Sequence, residues 1–307
     1  MNAKPWTPDI PFNAALAEAL VYSQFPEFAG LRAEFVGEGW DTSVWRFGDV
    51  AFRFPHREVG VIYLDREAKL MPWLAPQLSL PVPAAHYFGK PSERFPRPFI
   101  GVNWVEGTPS EHAKLNDEHR AAIAAPLGQF LAALHQIPAG EALQRCASRF
   151  NRAESFERWM QGCFQRLDEI QGTELGFTCA PIRAALEAAE PFQHDMPQYL
   201  THCDLYLRHI LFDDDKRLCG VIDWGDVCVS DRAADFELVF GFMPPSARAD
   251  FFEAYHQAGG PEIDAATLER ARLISLTTIL NVGSFSIDIQ NRDLIDEIIL
   301  SARWIGL

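Results

Sequence analysis

The hydrophobic period changes once along this chain, and that change restricts the fold more than any other feature. Residues 33–54 carry the pattern of strands. Phe35 and Val36 precede a Gly-rich interruption at 37–39; Val44, Trp45 and Phe47 follow, then Gly48-Asp49, then the apolar run 50–54. Gly-Asp between two apolar runs is a hairpin signal, so the segment predicts strand, tight loop, strand, two-residue turn, strand. Residues 61–74 switch to helical spacing, with Leu64, Ala68 and Met71 aligned. A short helix is expected at 12–22, a Pro-rich connector at 80–83, and two more strands at 86–88 and 99–105.

Beyond Gly107 the period is helical: 118–137 in spite of Pro126, then 155–170, 182–190, 248–257, 265–280 and 293–304. Two short strand-like segments, 210–212 and 220–222, flank a solvated turn at Asp213-Asp214-Asp215. The expected fold class is therefore α+β. A β-rich N-terminal lobe over 1–105 meets a mainly helical C-terminal lobe over 106–307 near 103–107, with a ligand cleft between them.

Composition narrows the partners. With 48% apolar residues, 12% of the chain aromatic, the chain is not disordered. Its 27 basic and 42 acidic residues give a net charge of −15, which argues against a nucleic-acid partner. The charge suits a cationic small molecule, or solubility alone. No basic start leads into an apolar run, and no 18-residue apolar stretch exists, so neither a secretory leader nor a membrane partner is expected. The six cysteines form no Cys-x-x-Cys pair, which suits reduced thiols in a cytoplasmic protein.

Functional residue types concentrate in 199–235. His202-Cys203-Asp204 is followed by Arg208-His209, and then by Ile222-Asp223-Trp224-Gly225-Asp226. Asp204 and Asp223 each stand at the edge of an apolar run, where a carboxylate is unfavourable unless paired or bound to a metal.

These motifs resemble those of the aminoglycoside phosphotransferase family, within the protein-kinase-like superfamily. That family carries His-x-Asp-x-x-x-x-Asn, then Ile-Asp-Trp/Phe-Gly/Glu about twenty residues on, then Gly-Asp-Pro-x-x-Asp-Leu. Here they read His202-Cys-Asp204 to His209, Ile222-Asp223-Trp224-Gly225, and Ser230-Asp231 to Asp235-Phe236. His209 stands where most members have Asn, as in the aminoglycoside 2″-phosphotransferase and macrolide 2′-phosphotransferase branch. The resemblance implies a bilobal protein-kinase-like fold with the nucleotide in the first lobe and the acceptor in the second. It implies Asp204 as the catalytic base and Asp223 as a Mg²⁺ ligand, with His209 the second metal-side residue. His202 would fix the loop, Asp231 would cap a helix and Asp235 would anchor a loop. Arg208 would neutralise a phosphate or be a plain surface charge.

The first lobe extends the resemblance. Gly37, Gly39 and Ser43 fall in the position of the family's nucleotide loop, and the absence of a Lys-Ser/Thr pair excludes a Walker A loop. Arg53 occupies the place of the family's strand lysine and Glu67 that of its helix partner. Arg for Lys keeps the charge but changes the geometry. Arg53 can also be read as a surface charge on an edge strand, since Phe52 and Phe54 point to the other face. Asn103, Trp104 and Val105 match the interlobe hinge, whose backbone would bond the purine.

The function these features imply is Mg²⁺-dependent transfer of the γ-phosphate of ATP or GTP to a hydroxyl of a small molecule, an aminoglycoside or macrolide among the acceptors. Two alternatives use the same residues. One is a non-catalytic nucleotide-binding relative, prompted by His209 and Arg53. The other is a metal-dependent hydrolase built on His202, Asp204, His209 and Asp223.

Overall fold

The computed structural model describes residues 7–307. They fall into two compact units, the first made of residues up to 77 with 81–105 and 223–226, the second of 78–80, 106–222 and 227–307.

In the first unit α1 (Ala14–Gln24) opens on Asn13, whose side chain accepts the Leu16 N–H at 2.9 Å. Then come β1 (Glu34–Glu38), β2 (Thr42–Phe47), β3 (Val50–Pro55), α2 (Glu58–Leu74), β4 (Ala85–Gly89) and β5 (Phe99–Asn103). The strands form one antiparallel sheet in the order β1-β2-β3-β5-β4. Phe47 pairs with Val50 across the expected two-residue turn, where Gly48 takes φ +60°. The glycines at 37–39 interrupt less than their composition predicts. β1 runs through Gly37 and Glu38 and absorbs the irregularity as a bulge between Phe35 and Gly37. β5 stops at Asn103, not 105, because the Trp104 N–H turns away to the Asp49 carbonyl at 2.8 Å.

One sheet face is aromatic. Phe47, Phe52, Phe54, Phe95 and Phe99 pack with Ala17, Leu20 and Val21 of α1. Edge-to-face pairs such as Phe47–Phe52, 5.4 Å apart at 85°, are the geometry that ring quadrupoles prefer. The opposite face is also closed, by Ala51, Ile100, Val102 and Ala85 with Leu64 of α2. β3 is thus central and covered on both sides. Arg53 is only 9% exposed, and the edge-strand surface reading of it fails.

The second unit runs β6 (Thr108–Pro109), α3 (Asp117–Ala122), α4 (Ala124–Gln136), α5 (Ala139–Gln144), β7 (Ser148–Arg149), α6 (Arg152–Ile170), α7 (Cys179–Glu187) and β8 (Tyr199–Thr201). It continues with β9 (Ile210–Phe212), β10 (Leu218–Val221), β11 (Cys228–Ser230), α8 (Glu237–Gly241), α9 (Arg248–Gln257), α10 (Ala265–Asp288) and α11 (Arg292–Ile305). The single helix expected over 118–137 is two, broken at Ile123, and Pro126 falls in the first turn of α4, where its missing N–H is tolerated. α10 continues past 280, and its buried hydroxyls are satisfied within the helix; Ser286 Oγ donates to the Gly283 carbonyl at 2.8 Å. α4 and α9 meet closely at Gly128, where a Cβ would lie 2.6 Å from the Phe251 carbonyl oxygen.

Two three-stranded sheets, β10-β9-β6 and β7-β11-β8, position the loop over 202–209. β8 delivers the chain into it, paired with β11 through Thr201 and Cys228. β9 carries the chain out and pairs with β10, which ends just before Asp223. Among the described residues, no helix is long and apolar enough to cross a membrane.

Candidate active site

The loop that carries Asp204 is held from beneath by a fully buried carboxylate. Asp235 accepts the backbone N–H of His202 through Oδ2 at 2.9 Å and that of Cys203 through Oδ1 at 2.8 Å. His135 Nε2 faces the same Oδ2 at 3.1 Å, and its Nδ1 faces the Tyr255 hydroxyl at 2.9 Å. Three donors on one carboxylate satisfy its desolvated charge. Asp231 caps the 3-10 turn Arg232–Ala234 through the Ala233 N–H at 3.1 Å and pairs with Arg270 at 2.7 Å. Cys203, directly before Asp204, has φ +69°, a conformation that favours glycine.

The rest of the loop is stapled from several sides. His202 is buried and its Nε2 meets the Ile222 carbonyl at 3.0 Å. Ser110 Oγ donates to the Leu207 carbonyl at 2.6 Å, and Arg208 Nε to the buried Glu111 at 2.8 Å. Arg208 is therefore an internal brace, a role its sequence context does not reveal. His209 Nδ1 lies 2.7 Å from the Asp204 carbonyl oxygen and 3.5 Å from Asp204 Oδ2. A carbonyl only accepts, so Nδ1 carries the ring proton and Nε2 the lone pair in neutral His209. The Asp204 carboxylate is 44% exposed, within reach of a solute.

Glu237, absent from any sequence motif, lies in a small cavity with Tyr206, Thr278 and Ser275. Burial pushes its carboxyl up to about 8; the Thr278 hydrogen bond at 2.5 Å opposes this and the Asp204 charge adds to it. A carboxyl that keeps its proton longer when folded loses stability as pH rises. Below the ordinary value of 4.5 both states are protonated; from there to about 8 only the folded state is, and stability falls across that window. Glu237→Gln is expected to flatten this fall, so that it raises Tm more at about pH 8 than at about pH 5. Thermal unfolding at both pH values checks it, and equal shifts at both would contradict it.

The first unit gathers a second set of charges. Arg53 Nη1 donates to Glu67 Oε2 at 2.6 Å and Nη2 to Asp223 Oδ1 at 2.7 Å, the latter across 170 residues of chain. Glu67 is fully buried, whereas the Asp223 side chain is 42% exposed. Burial works against the guanidinium charge, but Glu67 and Asp223 outweigh it and hold the Arg53 pKa above its ordinary value. Arg53 Nε is buried without a hydrogen-bond partner. Asp223 sits at φ +64°, and Arg66 secures the following turn through the Gly225 carbonyl at 3.0 Å.

The Gly-rich segment closes through the Gly39 N–H on the Thr42 carbonyl at 2.9 Å. A Cβ on Gly37 would meet nothing within 4 Å, so the space over this backbone is open. Ser43 is different: it is buried in β2 and its Oγ accepts the Trp45 indole N–H at 2.8 Å. At 103–105 the backbone is partly engaged within the first unit. The Asn103 N–H goes to the Ala84 carbonyl and the Trp104 N–H to the Asp49 carbonyl. Asn103 Oδ1 also accepts the Ala84 N–H at 2.8 Å. Both N–H groups are engaged in tying the sheet to its neighbours.

Among the described residues, no group of three or more His, Cys, Asp and Glu side chains is arranged to hold a metal ion. That disfavours the all-protein zinc set of the hydrolase reading.

Residues 32–274 match the family described as the phosphotransferase enzyme family. An aminoglycoside 3'-phosphotransferase of Streptomyces fradiae is 28% identical over 123 residues, 40% of this chain and 45% of that protein. A second curated relative is matched over 20% of its length, so the chain spans less than half of either. Among solved structures, the GDP and kanamycin complex of APH(2")-IIia superposes with a TM-score of 0.68 at 21% identity, over 94% of this chain and 97% of that one. The macrolide 2'-phosphotransferase MphH of Brachybacterium faecium superposes with a TM-score of 0.61 at 21% identity, over 94% and 98%. At that identity the likeness is one of fold, a β-sheet region followed by a helical one. With the family match covering most of its length, the chain belongs to the phosphotransferase enzyme family.

Proposed function

We propose that the protein moves the γ-phosphate of ATP or GTP to a hydroxyl of a small molecule, with Mg²⁺ as cofactor. The reading rests on one observation above the rest: buried Arg53 bridges Glu67 and Asp223, with Nε still unpartnered. A buried cation with an unused donor beside a half-exposed carboxylate suits a phosphate and its metal.

In this reading Gly37 and Gly39 let backbone amides approach the phosphates, and Arg53 supplies positive charge beside them. Ser43 supports the loop from within β2, and the backbone of Asn103, Trp104 and Val105 bonds the purine. Asp223 holds Mg²⁺, which when bound supplies charge neutralisation on the phosphate oxygens. His209 is the second metal-side residue in this reading. Asp204 accepts the proton of the attacking hydroxyl. Phosphoryl transfer passes through a loose transition state, so positioning and charge do most of the catalysis. The relatives' names point to aminoglycoside and macrolide acceptors, and a net charge of −15 favours a polycationic one.

Nucleotide binding tests the metal assignment. Asp223→Ala is expected to abolish Mg²⁺-dependent binding of ATP and GTP in titration calorimetry. Binding equal to that of the parent protein would contradict it.

A further inference from the structure

Arg53 is one cation shared between two carboxylates of unequal need. Its Nη1 donates to Glu67 Oε2 at 2.6 Å and its Nη2 to Asp223 Oδ1 at 2.7 Å. The Glu67 side chain is 0% exposed, so without Arg53 its charge would have neither water nor a cation. The Asp223 side chain keeps access to water. Arg53 is thus the counter-ion that Glu67 requires, whereas its bond to Asp223 is the replaceable one.

Asp223 is also the carboxylate assigned above to the metal. In the free protein its charge is already offset: a guanidinium sits on Oδ1, and a cation approaching the same carboxylate meets Arg53 as a like charge. Arg53 does not yield by losing its proton, because both carboxylates hold its pKa above the ordinary value. Asp223 is not free to withdraw either. The turn behind it is fixed to α2 by Arg66 Nη1 on the Gly225 carbonyl at 3.0 Å. Gly225 also packs so closely on α2 that a Cβ would lie 3.1 Å from the Tyr63 Cβ. The bond therefore opens by movement of the guanidinium, and an anion placed beside Arg53 competes for it.

A lysine at this position would not make the same bridge. Glu67 and Asp223 approach different nitrogens of one planar fork, which a single ammonium does not reproduce. Lysine would stay with buried Glu67 and leave Asp223 open.

We propose that Arg53 is a positioning residue that makes metal binding wait on the nucleotide: it occupies Asp223 in the free protein and releases it when phosphates take over the guanidinium. The inference rests on the assignment of Asp223 to the metal and of Arg53 to the phosphates. By linkage, nucleotide and metal strengthen each other's binding by one common factor, and Arg53 sets part of that factor.

The test is titration with Mn²⁺ in place of Mg²⁺, read by electron paramagnetic resonance, on the parent, Arg53→Lys and Asp223→Ala. Binding that persists in Asp223→Ala belongs to other surface carboxylates and is subtracted. Without nucleotide, Arg53→Lys is expected to bind Mn²⁺ about three- to tenfold more tightly than the parent, the worth of one charge-assisted bond to a half-exposed carboxylate. With GDP or ADP added the two proteins should bind it alike, since complexation by free nucleotide is common to both. A plain structural brace would give no such gain. Nucleotide-free binding by Arg53→Lys no tighter than the parent's would overturn the inference and leave the nucleotide site standing. Equal binding by Asp223→Ala and the parent with nucleotide present would overturn the metal assignment and the inference together. Should Arg53→Lys fail to fold, a crystal structure of the parent with Mg²⁺ and GDP decides. Arg53 Nη2 is expected to have left Asp223 Oδ1, and an unbroken 2.7 Å contact would overturn the inference.

Discussion

Asp204→Asn is expected to fold as the parent does and to lose roughly 10²–10⁴ of kcat, the usual worth of a positioned general base. The fold should survive because the loop hangs on its backbone: His202 and Cys203 N–H groups on Asp235, and the Leu207 carbonyl on Ser110. Asn keeps the size of the side chain but cannot take the proton of an attacking hydroxyl. KM for the nucleotide should change little beside kcat, since no nucleotide-binding role falls to Asp204. The substitution also removes the negative charge that helps keep Glu237 protonated, so the Glu237 carboxyl should titrate lower. Steady-state kinetics with circular dichroism checks the pair of claims. Near-parental turnover would remove Asp204 from its role.

Asp235→Ala should act on the same loop through stability. It leaves two buried N–H groups and His135 without their common acceptor. Each orphaned buried group costs about 1–3 kcal/mol, and removing one partner of a buried charged network about 3–5 kcal/mol. A loss of about 3–5 kcal/mol in urea unfolding is expected, with activity lost alongside. Asp235→Asn retains one acceptor oxygen and should fall between. Parental stability in Asp235→Ala would mean that the three contacts do not hold the loop.

The hairpin strands of the first unit were legible because alternation and a Gly-Asp turn sit within 42–54, where β2 pairs with β3 across a local turn. The same alternation misdirects at Arg53. A period of two says which residues share a face, not whether the second face is covered, and α2 covers it. In the second unit β7, β8 and β11 are two or three residues long, too short to display any period, and exist only as a sheet. Asp204, Asp223 and Asp235 stood out through linked motifs. The helpers did not. Ser110 and Glu111 reach the loop across 97 residues, and His56 reaches beneath Trp40 across 16. Such contacts are made by the folded chain and leave no local pattern.

The central claim is most directly tested by phosphate transfer itself. The purified full chain with Mg²⁺ would be offered γ-labelled ATP and GTP separately, against aminoglycosides, macrolides and common hydroxyl metabolites, beside Asp204→Asn. The account predicts a labelled phosphate ester on at least one acceptor, lost in the variant. No transfer to any acceptor from either nucleotide, or equal transfer by the variant, would contradict it.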